Sequence, residues 1–176
     1  MRRASTSVEK LRLLNALVAS AIAVFFLAHS TLGVASLFVE GLTNSLPWLV
    51  WIMLGAAGAH VLASVGATAL MLTDTERPPS SRKKRHFVLK WATGVVLAAT
   101  IAAHLFCILC PGSLPSFPHQ IKASFLLLLA ALAWHVSIAT KSLARDLGIG
   151  KRTHDIMRAV YVLAVFVLVV LVLVAS

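Results

Sequence analysis

Trp134-His135-Val136-Ser137-Ile138-Ala139-Thr140-Lys141-Ser142-Leu143-Ala144-Arg145-Asp146-Leu147-Gly148 is the stretch on which the reading of the fold turns. A histidine stands near the end of a long apolar run. A cation, an acid and a glycine follow as the run gives way to polar sequence. Such a segment predicts a helix lying in lipid, reaching an interface at its basic end and holding an ionisable ring inside. Outward from it, three more apolar runs each carry one histidine: His29, His60 and His104.

The rest of the chain has the same character. Of 176 residues, 59% are hydrophobic and only 12% are charged, and mean hydropathy is +0.90. A soluble domain of this size cannot cover its surface with so few charges. The composition predicts an all-α integral membrane protein, one transmembrane domain over residues 1–176, with no room for a soluble catalytic domain. Five segments reach the roughly 20 residues that a bilayer crossing needs: Leu11–Phe38, Leu46–Leu72, Phe87–Cys110, Ile121–Thr140 and Ile156–Val174. Gly55, Gly58 and the alanines of the second suit close helix contact in lipid. The basic start Met1-Arg2-Arg3 is followed by polar residues Ala4 to Lys10, not by a short apolar core with a small-residue cleavage site. No removable signal peptide is expected.

The formal net charge of +10 would suit a nucleic-acid binder. Its distribution argues otherwise. Of the 16 Lys and Arg, all but Lys122 fall at one face of the predicted bundle. Arg2, Arg3, Lys10 and Arg12 precede the first span. Arg77, Arg82, Lys83, Lys84, Arg85 and Lys90 lie between spans two and three. Lys141, Arg145, Lys151, Arg152 and Arg158 lie between spans four and five. The positive-inside rule then puts the N-terminus in the cytoplasm and the C-terminus outside. No nucleic-acid partner is expected. Pro78 and Pro79 interrupt the second loop, and the basic run after them reads as a solvated hinge within reach of acidic lipid head groups. Pro111 to Pro118, with three prolines, reads as an irregular outer turn.

The histidines repeat. His29 and His60 are 31 residues apart, as are His104 and His135, and 75 residues separate His29 from His104 and His60 from His135. Spans one–two and three–four thus look like two copies of one out-and-back unit, with span five added. One histidine in a membrane helix is an ordinary packing residue. Four, one on each of four consecutive helices, call for a common ligand. An imidazole leaves the helix backbone intact, and haem iron takes two of them. At ~1.5 Å per residue, His29 lies about 25 Å beyond Arg12, and His104 about 21 Å beyond Lys90, both toward the outside. His135 lies only about 9 Å from Lys141, and His60 falls near mid-span. Depth therefore pairs His29 with His104 at an outer haem iron and His60 with His135 at an inner one. Small residues beside the histidines (Ala28, Ala59, Ala102, Ala103, Ala133) leave room for a flat macrocycle. Lys141, Arg145 and Lys90, with His86, are the candidates for the inner haem's propionates, Lys141 first.

From His135 to Gly148 the chain resembles the membrane-anchor cytochrome b subunits of succinate dehydrogenases and fumarate reductases. His135, Asp146 and Gly148 match that family's motif. Lys141 stands for its arginine, Ala139 for its glycine and Ser142 for its second histidine. Five spans with histidines on the first four, and a start at Arg12-Leu13-Leu14-Asn15 running to His29, also resemble the single-chain, two-haem anchors, in which the first histidine pairs with the third and the second with the fourth. The resemblance implies two b haems and exchange of electrons with membrane quinone or menaquinone. It implies a flavoprotein subunit holding FAD and an iron–sulfur subunit holding the clusters, since this chain has neither a flavin motif nor a cluster of iron–sulfur cysteines. It implies a bacterial or archaeal cytoplasmic membrane, with lipid around the spans.

Glu40, eleven residues past His29, is the acid of the outer side and a candidate proton acceptor in quinol oxidation; His119 is a lesser one. His86 and His154 read as interfacial. Cys107-Ile108-Leu109-Cys110 cannot attach haem covalently, because Pro111 stands where a histidine is required. Two other functions remain open: a haem b anchor for another respiratory dehydrogenase, such as one for nitrate or formate, and a haem-free thiol–quinone oxidoreductase or scaffold using Cys107 and Cys110.

Overall fold

The structure is a computed structural model, and it describes residues 2–36, 38–39, 47–73, 79–110 and 117–175. Among these residues there are helices, turns and short irregular connections, and no strand. The five helices are α1 (Arg2–Ala35), α2 (Pro47–Leu72), α3 (Ser81–Leu109), α4 (Phe117–Asp146) and α5 (Lys151–Val174). Each is long and apolar enough to cross a membrane, so the chain is a multi-pass membrane protein.

Four helices extend beyond the apolar segments that announce them. The basic run Arg82 to Arg85 is the first turn of α3 and not a hinge. Lys and Arg are good helix formers, and Ser80 caps the helix by accepting a hydrogen bond from the Lys83 amide at 3.4 Å. Phe117 and Pro118 open α4 instead of closing a turn, which brings His119 into its first turn; residues 111–116 lie outside the described residues. At its other end α4 continues to Asp146. Gly148, at φ +69°, stops it. The Gly148 amide donates to the Arg145 carbonyl at 3.2 Å and the Ile149 amide to that of Ala144 at 2.7 Å, the paired closure that a left-handed glycine permits.

Polar contacts fix the directions of the helices. Arg12 near the start of α1 pairs with Asp146 at the end of α4. The Lys90 ammonium near the start of α3 donates to the Ser142 hydroxyl at 3.0 Å. Lys122 in the first turns of α4 donates to the Ala175 carbonyl, just past α5, at 3.1 Å. Neighbouring helices therefore run antiparallel, and the starts of α1 and α3 share one basic end with the finish of α4.

Two hairpins, α1–α2 and α3–α4, carry the closest packing, and α5 lies against α4 and α1. The hairpins meet chiefly where α1 touches α4; α1 barely meets α3, and α2 barely meets α3 or α4. The core lies between α1, α4 and α5 and is built on Phe26, Leu129, Leu132, Val165 and Leu168. Outward-facing side chains are apolar, among them Leu62 at 74% exposure and Trp51 at 70%. Lipid accommodates such a surface and water does not. An open crevice between α2 and α3 is lined by Thr68, Leu72, Phe87 and Trp91 with Lys84 at its rim.

Candidate functional site

The four histidines occupy two levels. His29 is six residues from the end of α1, and His104 five from the end of α3, so both lie about 8–9 Å from the ends opposite the basic face. His60 is twelve residues from the end of α2, and His135 eleven from the end of α4, about 16–18 Å from the basic ends. His104 lies within electrostatic reach of His29, and His135 within reach of His60. Each pair thus joins two helices that barely touch, α1 with α3 and α2 with α4. These are the diagonals of the four-helix arrangement, so each pair spans its centre.

Two of the rings are held from behind. The Thr93 hydroxyl, fully buried on α3, lies 3.0 Å from Nδ1 of His135. The Ser124 hydroxyl, buried on α4, lies 3.0 Å from Nδ1 of His104. Phe125 packs against His104 with ring centroids 5.8 Å apart. Gly94 faces His135 so closely that a Cβ there would come 3.4 Å from its Cε1. In the other hairpin, His60 is close to the Asn15 backbone, while its Nδ1 is buried without a hydrogen-bond partner. No hydrogen bond to His29 is present among the described residues.

The cations sort by position. Lys90 is half-buried, held by Ser142, and lies within electrostatic reach of both His60 and His135. Lys141 is exposed, and the Arg145 side chain, 67% exposed, turns to Asp146 at 3.6 Å. Both are felt at His86. Helical geometry accounts for this: six residues turn Lys141 about 120° away from the His135 face, while seven bring Ser142 back to it. Arg12, which opens the Arg12-Leu13-Leu14-Asn15 start of the first span, completes the basic-end cluster through Asp146. Glu40 lies outside the described residues. His119 is exposed, and the ring of His154 hydrogen-bonds Asp155 at 2.9 Å. Cys107 and Cys110 are free thiols.

This donor set fits a haem iron. Among the described residues no three His, Cys, Asp or Glu side chains gather as they would around a metal ion held by protein alone. A porphyrin supplies four of the iron's ligands itself, leaving two axial positions for a facing pair of imidazoles. Each pair offers two neutral nitrogen donors that leave the helix backbone intact, which suits those two positions. Thr93 and Ser124 escaped the sequence reading, although a signal was there: each stands eleven residues, three helical turns, before a histidine on its own helix.

Comparison with protein-family models, curated proteins and solved structures finds no match to this chain.

Proposed function

We propose that the chain is the cytochrome b membrane anchor of a succinate:quinone oxidoreductase. In this reading it holds two b haems, one between His29 and His104 and one between His60 and His135, and passes electrons between an iron–sulfur subunit and membrane quinone. The observation that carries the reading is the diagonal pairing of four histidines at two levels, each pair drawn from helices that make few contacts with one another. Bound haem supplies a one-electron iron couple at each level. The chain's own residues supply the rest. The imidazoles would hold the two groups, Lys90 would offer a half-buried cation to a carboxylate at the inner level, and the apolar outer faces keep the bundle in lipid.

Orientation follows from the charges. The basic end lies in the cytoplasm, and with Arg82 to Arg85, Lys141 and Arg145 exposed along it it is the docking face for the iron–sulfur subunit. The His60–His135 level is then the nearer one to that subunit. Succinate and fumarate chemistry belongs to the flavoprotein partner with its FAD. Quinol oxidation at the far side releases two electrons and two protons, and Glu40 is the proposed proton acceptor there.

The test is purification of the complex from native membranes, with identification of its subunits and assay of quinone-linked succinate oxidation or fumarate reduction. Co-purification of a flavoprotein and an iron–sulfur protein with haem-dependent quinone activity is expected. A formate or nitrate enzyme in their place, or crosslinks from the iron–sulfur subunit to residues 111–120 instead of the basic end, would overturn the assignment.

A further inference from the structure

Thr93 and Ser124 have a feature in common that the histidines alone do not reveal. A hydroxyl has one proton to give and lone pairs to accept with. The Thr93 hydroxyl lies 3.0 Å from the Leu89 carbonyl and 3.1 Å from that of Lys90 on its own helix. The Ser124 hydroxyl lies 2.8 Å from the Ile121 carbonyl. Carbonyls only accept, and a hydroxyl proton directed to them leaves the oxygen's lone pairs to face the ring. In that arrangement each hydroxyl meets its histidine as an acceptor, and Nδ1 of His135 and of His104 carries the proton. The lone pair is left on Nε2, the nitrogen on the far side of the ring.

The arrangement is reciprocal. On α3, Thr93 stands eleven residues before His104; on α4, Ser124 stands eleven residues before His135. Because the helices are antiparallel, each hydroxyl reaches the histidine of the other. Resting on the haem reading above, we propose that Thr93 and Ser124 are positioning residues. They fix the tautomer and orientation of His135 and His104, and by accepting from Nδ1 they strengthen Nε2 as a donor to iron. A hydrogen bond accepted from the back of an axial imidazole raises ligand basicity, and a hydroxyl already donating to a carbonyl is a better acceptor. Stronger donation favours ferric over ferrous iron. Thr93 therefore holds down the midpoint potential at the His60–His135 level, and Ser124 that at the His29–His104 level.

Potentiometric titration of the purified wild-type protein and of Thr93→Val, Thr93→Ser, Ser124→Ala and Ser124→Thr tests this, with haem counted in each. In Thr93→Val, which keeps shape and loses the acceptor, one haem is expected to shift upward by about tenfold in its ferrous-to-ferric ratio, about 59 mV for one electron, with the other unmoved. Ser124→Ala should shift the other haem alone. Thr93→Ser and Ser124→Thr restore the acceptor and should titrate like wild type. Loss of one haem in Thr93→Val with its retention in Thr93→Ser supports the role as well. Two haems with unchanged potentials in Thr93→Val and Ser124→Ala would overturn it, as would equal shifts or equal haem loss in Thr93→Val and Thr93→Ser. A well-folded wild type without two haems overturns the underlying haem reading instead.

Discussion

The α3–α4 and α1–α2 hairpins carry histidines at the same spacing, but they support them differently. In α3–α4 each helix offers a buried hydroxyl to the other's ring, at 3.0 Å in both cases. In α1–α2 the positions eleven residues before the histidines are Val18 and Leu49, which have no hydroxyl to offer. That hairpin is joined instead by the Ser64 hydroxyl donating to Asn15 Oδ1 at 3.3 Å and by Leu11 packing 3.6 Å from where a Gly66 Cβ would be. The repeat is thus one of ligand spacing and not of ligand support. Each histidine pair takes one ring braced by a hydroxyl from α3–α4 and one ring without such a hydroxyl from α1–α2, where His60 meets the Asn15 backbone instead. At the His29–His104 level only His104 is held by a side-chain hydroxyl, while at the His60–His135 level the two rings are held by different kinds of partner.

The strongest way to break this comparison is to remove one braced ligand at a time. His104→Ala should take the chain from two haems to one, and so should His135→Ala, but the haem that survives should differ in spectrum and midpoint potential. In the proposed complex, where electrons from the iron–sulfur subunit reach that level first, His135→Ala should also uncouple quinone reactivity and leave dye-linked flavoprotein activity unaffected. If His104→Ala and His60→Ala lose the same haem, the diagonal pairing is wrong.

A smaller effect separates contacts between hairpins from contacts within one. Arg12 and Asp146 join α1 to α4 across the hairpins, and both are largely shielded from solvent. Arg12→Ala is expected to cost about 1.5–3 kcal/mol, as for a hydrogen bond to a charged partner. Ser64→Ala, which removes one neutral bond inside α1–α2, should cost about 0.6 kcal/mol, the usual worth of such a bond in lipid. Denaturant titration in detergent measures both. Equal losses would show that the two hairpins are not held together through Asp146.

The smallest expected effect sharpens the contrast by adding what α1–α2 lacks. Val18→Thr introduces a hydroxyl at the position that corresponds to Thr93, and His60 has a buried Nδ1 in need of a partner. A downward shift of the His60–His135 potential, smaller than the upward shift of Thr93→Val, is expected in potentiometry. No shift would mean that α1 and α2 do not meet in the register that α3 and α4 do.

Much of this was legible in the sequence because lipid makes simple demands. A run of apolar residues long enough to span must become a helix, and five such runs give five helices. The polar ends were harder. Hydropathy does not register Arg82 to Arg85 or Lys141 to Asp146, though both stretches are helical, because helix propensity and capping there act independently of apolarity. The levels of the histidines could be counted from helix rise. The cations could not be ranked that way: Lys141 is near His135 along the chain but turned from it, whereas Lys90 arrives from another helix. Thr93 and Ser124 were hidden for a related reason. A hydroxyl in a membrane helix usually bonds its own backbone, and both of these do so as well; their second bond exists only once α3 and α4 are paired. Asp146 and Gly148, which stand out in the sequence beside His135, anchor and end α4.

The central claim is that two facing pairs of histidines each hold one b haem. It is tested most directly by counting haem against protein in the purified chain, with the reduced-minus-oxidised spectrum recorded on the same sample. Two b haems per chain, with the low-spin spectrum of bis-imidazole iron, are expected. One haem, or none, in well-folded protein would contradict it.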